Sequence, residues 1–134
     1  YVVDGNFTAQ HMNMKKPEGN VSLSDGLGYM VKNEPYRNHI ASAPEHREVS
    51  ALDITENFPT NRSNLQATGI GATACTRHGC FLPHSMVDFY KGEQQKNINY
   101  SICQALSYNS ARIQKALIIY DVACQWYVKF AHNV

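Results

Sequence analysis

Leu117-Ile118-Ile119-Tyr120-Asp121 reads LIIYD, and the chain opens on the same shape, Tyr1-Val2-Val3-Asp4. Each is a short β-branched run that ends in a carboxylate. Runs of that length and composition read as buried strands. Neighbouring strands lie about 4.8 Å apart. Side by side, Asp4 and Asp121 would share one divalent ion, or hold a pair of ions about 3.5–4 Å apart. Hard oxygen ligands suit Mg²⁺ or Mn²⁺, and the chemistry of such a site is phosphoryl transfer. The residues alone leave a second reading open. Asp4 suits an Asp-Gly turn, and Asp121 suits the cap of a following helix.

Outward from these runs, Tyr1-Val2-Val3 together with Phe7 and Ala9 reads as a hairpin over residues 1–12, turning at Asp4-Gly5. Residues 22–64 lack periodicity and read as loop, apart from a short helix over 44–52 that Pro44 and Glu45 would start. Ala72 and Ala74 suit a strand, followed by a knuckle at Arg77-His78-Gly79. Ile98, Ile102, Ala105 and Leu106 have helical spacing and predict a helix over 94–108. Ser110 would cap a second short helix running to Leu117, and a further helix is expected through Trp126, Tyr127 and Phe130.

Composition narrows the function classes. The 134 residues suit a single domain, with 43% apolar and 17% charged residues. Twelve basic residues against 11 acidic ones give a net charge of +1. No strongly basic surface is forced, so a nucleic-acid partner needs a local patch. The longest apolar run, Ala116–Tyr120, falls far short of the ~20 residues of a membrane helix. The chain opens inside an apolar run with neither a signal-peptide pattern nor an initiator Met, which reads as an excised piece.

Cys75-Thr76-Arg77-His78-Gly79-Cys80-Phe81-Leu82-Pro83-His84 places two cysteines and two histidines in one stretch. Thiolate and imidazole are zinc ligands, and a Cys-x2-His pair suits one side of a tetrahedral site. Four ligands inside this stretch would demand a very tight loop. Cys103 or Cys124 would serve as a distant ligand, or both are core residues on apolar faces. The four cysteines are expected to be reduced. Four sequons, at Asn6, Asn20, Asn61 and Asn99, keep a secreted, disulfide-bonded alternative open.

Taken together, YVVDGNFTAQHM (1–12), NEPYRNHIASAP (33–44), ATGIGATACTRHGCFLPHSMVDFYKGEQQKNINYSICQAL (67–106) and ALIIYDVACQW (116–126) closely resemble the Kyakuja-Dileera-Zisupton (KDZ) transposases, a family abundant in mushroom-forming basidiomycete fungi. The likeness spans all but about residues 48–64. It implies an α/β fold: a partial RNase H-like core with a loop-rich Cys/His insertion, about 22–92, within one partial domain. It implies a cut-and-paste DNA transposase, nuclear, with Mg²⁺ or Mn²⁺ at an acidic triad and a structural Zn²⁺. On that resemblance Asp4 is the first acid and Asp121 the second, while Cys75, His78 and Cys80 belong to the metal-binding segment of the insertion. Two positions depart from the pattern. Leu52 and Thr55 stand where the family carries a second Cys-x2-His pair. The third acid is expected downstream of Val134, with Glu93 a substitute only in a rearranged fold.

The reading is therefore a transposase fragment that binds transposon ends in its full-length relatives and is weak or inactive by itself. One alternative is a small fungal metal-dependent nuclease or ribonuclease using the same acids, which a plasmid and RNA digestion assay would separate. The other is a non-enzymatic secreted or domesticated binding module, which intact mass before and after reduction would reveal.

Overall fold

The computed structural model describes residues 1–21, 27–43, 64–90, 94–108 and 110–130. Among these, six strands and three α-helices follow in the order β1 (Val2–Asn6), β2 (His11–Met12), α1 (Asn33–Ser42), β3 (Leu65–Ala67), β4 (Ile70–Ala74), β5 (Val87–Asp88), α2 (Gln95–Ser107), β6 (Ile119–Tyr120) and α3 (Ala123–Phe130). The main sheet has the order β5-β4-β1-β6, and β2 pairs with β3 in a separate two-stranded sheet. β1, β4 and β5 run antiparallel in turn, whereas β6 lies parallel to β1. The chain thus builds a three-stranded antiparallel unit, crosses over through α2, and returns beside its first strand. The fold is α/β, as expected.

The first β-branched run forms a strand and the second does so only at Ile119–Tyr120, with Leu117 and Ile119 exposed rather than buried; the expected hairpin over residues 1–12 does not form. β1 continues through Asp4-Gly5 because β4 pairs with all five of its residues, from Val2 opposite Ala74 to Asn6 opposite Ile70. Strand partners on either side outweigh the local turn preference of Asp-Gly. The turn comes later. Asn6 Oδ1 accepts from the Thr8 N–H at 2.9 Å, the Thr8 hydroxyl at 2.7 Å and the Ala9 N–H at 3.2 Å. This is an Asx-type turn that sends the chain away from the sheet.

Side-chain alternation sorts the two faces. Val3, Thr73, Val87 and Tyr120 are buried against the helices. On α2, Ile98, Ile102 and Ala105 form the expected apolar stripe, and each is 1% exposed or less. Gln94 caps this helix, with Gln94 and Asn97 bonding each other's backbone in a capping box. Buried polar groups are paired: the Thr73 and Ser101 hydroxyls lie 2.8 Å apart, and Ser85 Oγ donates to the Thr73 carbonyl at 3.0 Å. α3 docks through Trp126, which meets Tyr120 edge-on at 6.3 Å and donates its indole N–H to Asn99 Oδ1 at 2.7 Å. The opposite face carries Val2, Asp4, Asn6, Ala72 and Ile119; Asp4, Asn6 and Ile119 are exposed.

Three further expectations change. α1 forms where loop was expected. Pro35 lies in its first turn, where a missing N–H costs little, and Tyr36 anchors it in the core at 1% exposure. The short helix expected from Ser110 is absent: that segment is a turn closed by Ile113 N–H to the Ser110 carbonyl at 2.8 Å, with irregular chain after it. The segment expected as an insertion, about 22–92, supplies β4 and β5 to the main sheet. The helix expected over 44–52, Leu52, Thr55 and Glu93 lie outside the described residues.

Candidate functional site

β1 and β6 bring the two acidic runs together. Val2 lies opposite Ile119 and Val3 opposite Tyr120. Asp4 and Asp121 are the residues that follow this pairing on the two strands. Asp4 is not at a strand end, since β1 runs on to Asn6 along β4; it is the first residue beyond the short β1–β6 pairing. Asp121 follows β6 directly and precedes α3. Both are exposed. One carboxylate oxygen of each accepts a local backbone N–H, Gly5 to Asp4 Oδ1 and Val122 to Asp121 Oδ1, both at 2.8 Å. The second oxygen of each carboxylate lies outside that bond. Exposed carboxylate oxygens are hard donors of the kind Mg²⁺ and Mn²⁺ take.

The Cys/His stretch is the β-knuckle that the sequence suggested. An antiparallel bridge joins Ala74 to Phe81. Inside it, Cys75 N–H donates to the Cys80 carbonyl at 2.9 Å, and Gly79 N–H donates to the Cys75 carbonyl at 2.8 Å. Gly79 has φ +68°, a left-handed conformation that favours glycine. Cys75 Sγ lies 3.3 Å from His78 Nδ1. Hydrogen bonds from the backbone of His78 and Arg77, helped by the His78 ring, hold the Cys75 thiol below the usual range. Cys80 Sγ instead approaches the His78 carbonyl, at 3.6 Å. Cys75 and His78 are therefore hydrogen-bonded to each other. Among the described residues, however, no group of three or more His, Cys, Asp or Glu side chains converges as a metal site.

The distant cysteines do not join this knuckle. Cys103 is half-buried on α2, where burial pushes its thiol up, and Cys124 is exposed on α3 rather than in the core. All four cysteines are free thiols. His84 stacks edge-on against Tyr108 at 5.9 Å. Of the sequons, Asn99 is buried beneath Trp126, so its side chain is committed to the core.

Sequence reasoning passed over Asp88. It is an ordinary-looking residue of β5, yet its carboxyl is pushed up by burial, while His11 and then Arg37 pull it partway back. His11 Nδ1 stands 3.7 Å from Asp88 Oδ2. Only the fold joins residues so far apart in the chain. A cavity of about 670 Å³ opens between the end of α1 and the start of α2, with Arg37, Tyr90 and Lys96 in its wall. None of Asp4, Asp121, Cys75, His78 and Cys80 lines it.

The family model of the Kyakuja-Dileera-Zisupton transposase matches residues 1–134. The chain belongs to the KDZ transposase family. No curated protein and no solved structure matches it. The match runs through the Asp4 strand, the Cys/His knuckle and the Asp121 strand of this KDZ chain alike. Among the described residues, no helix is long and apolar enough to cross a membrane.

Proposed function

We propose that this KDZ chain is part of the catalytic core of a cut-and-paste DNA transposase, RNase H-like in architecture, and that Asp4 and Asp121 are two of its metal-binding acids. The register of β1 against β6 supports this reading, because it pairs the two runs that Asp4 and Asp121 follow. An antiparallel unit whose first strand is flanked by a parallel strand after a helix suits an RNase H-like core. The excursion between β1 and β4, which carries β2, α1 and β3, is then the insertion into that core.

Asp4 and Asp121 would hold Mg²⁺ or Mn²⁺ on the open face. When bound, the ion supplies Lewis-acid activation of the attacking water or 3′-hydroxyl and stabilises the leaving oxygen. The protein's own share is positional. β1 would present Asp4, and the turn between β6 and α3 would present Asp121, to a DNA backbone; both are exposed. Cys75 and His78, with Cys80 behind them, would hold one side of a structural Zn²⁺. Transposon-end DNA is the partner and the nucleus the place of action.

The test is nicking of supercoiled plasmid by the purified chain in Mn²⁺, with a structured RNA as the competing substrate. The reading expects slow Mn²⁺-dependent nicking of DNA that Asp4→Asn and Asp121→Asn each abolish. Nicking that survives both substitutions overturns it, as does cleavage confined to RNA; a chain too weak to nick must still bind Mn²⁺ through Asp4 and Asp121, and failure to do so overturns it as well.

A further inference from the structure

The hydrogen bond from Cys75 N–H to the Cys80 carbonyl, at 2.9 Å, sets these residues opposite each other one step beyond the Ala74–Phe81 bridge. Facing residues at a hydrogen-bonded position of antiparallel strands stand about 5.5 Å apart at Cα, inside the range of about 4.4–6.8 Å that a disulfide needs. Both sulfurs contact the same residue, His78. Cys75 Sγ lies 3.3 Å from its Nδ1, and Cys80 Sγ lies 3.6 Å from its carbonyl oxygen. Cys80 is exposed and Cys75 partly so, which gives a small oxidant access. Neither of the other cysteines shares this arrangement, since Cys103 and Cys124 sit on α2 and α3.

We propose that Cys75 and Cys80 form a reversible cross-strand disulfide, with a low-molecular-weight disulfide as the oxidant. The inference stands on the hairpin and does not depend on zinc. One cysteine thiolate attacks the small disulfide, forms a mixed disulfide with the protein and releases one small thiol. The facing thiolate then attacks the protein sulfur of that mixed disulfide and expels the second small thiol. Two protein thiols lose two electrons and two protons in all. The oxidant's S–S bond takes up both and leaves as two thiols. Because the cross-link consumes both sulfurs, the knuckle holds either the disulfide or a metal, never both. An oxidising environment therefore removes any metal-binding capacity from this loop.

The experiment equilibrates the full chain, stripped of metal with a chelator, in reduced and in oxidised glutathione. Free thiols are then alkylated, and intact mass and a peptide map are recorded. The expected result in oxidised glutathione is a loss of about 2 Da from the unalkylated mass, with Cys75 and Cys80 joined in one cross-link. Cys75→Ser or Cys80→Ser abolishes the cross-link, Cys103→Ser and Cys124→Ser leave it intact, and reduced glutathione reverses it. Four alkylated thiols in oxidised glutathione would overturn the proposal. So would a cross-link that includes Cys103 or Cys124, or separate glutathione adducts on Cys75 and Cys80.

Discussion

Single residues set the tolerances of the sheet. A Cβ on Gly71 would come within 2.5 Å of Phe89 Cζ and 2.7 Å of Cε1, with Ile98 Cδ1 at 3.4 Å. Phe89 is fully buried and has no room to retreat. Gly71→Ala should therefore cost about 1–3 kcal/mol in denaturant unfolding, as overpacking does. Gly19→Ala, with nothing within 4 Å of its added methyl, should sit within about 0.5 kcal/mol of the parent. Asp88 makes a different prediction, through pH. Burial raises its folded-state carboxyl above the ordinary value, so the folded chain holds that proton more tightly than the unfolded chain does. Stability falls as pH rises from the ordinary carboxylate range through the raised value, while below that range the carboxyl is neutral in both states. Asp88→Asn has no such ionisation. Its stability relative to the parent should improve between about pH 3 and pH 7, as read by unfolding at each pH; a pH-independent difference would contradict this.

At the scale of elements, the knuckle is the most tightly specified piece. Gly79 holds φ +68° in open space, so only backbone conformation opposes a side chain there. Gly79→Ala should destabilise the chain by about 1–2 kcal/mol, whereas Gly79→Asn should be milder, because Asn visits that region more readily. Thermal unfolding of the pair checks this, and equal losses would mean that the strain lies elsewhere. Elements with strong local signals were legible in the sequence: the Ile98–Ile102–Ala105 stripe gave α2, the β-branched runs gave β1 and β6, and Arg77-His78-Gly79 gave the knuckle. Elements decided by distant partners were not. Asp4-Gly5 carries a turn signal that pairing with β4 overrides. α1 has a polar, Pro-containing sequence, and it is held by Tyr36, whose hydroxyl donates to the Asp88 carbonyl at 2.6 Å, and by Lys96, which reaches the Ile40 carbonyl at 3.1 Å. Neither bond has any signature within the helix itself.

For the whole molecule, the helices described crowd one face of a four-stranded sheet and leave Asp4 on the other. That division explains how much of the candidate site the sequence disclosed. The two acids announced themselves because each closes a short β-prone run, and the parallel return through α2 pairs those runs at Val2–Ile119 and Val3–Tyr120. The His11–Asp88 pair stayed hidden, because its members are far apart in the chain and meet only once it has folded. A net charge of +1 spreads no general cationic field over the molecule, so DNA affinity should depend on local contacts rather than on bulk attraction. The central claim is that Asp4 and Asp121 act as one cation site. Its most direct measurement is Mn²⁺ binding followed by electron paramagnetic resonance in the parent, in Asp4→Asn, in Asp121→Asn and in the double variant. A shared ion predicts that the parent binds Mn²⁺, that each single substitution weakens binding at least tenfold, and that the double variant is little worse than either single one. Binding unchanged by either substitution, or no Mn²⁺ binding by the parent, would contradict it.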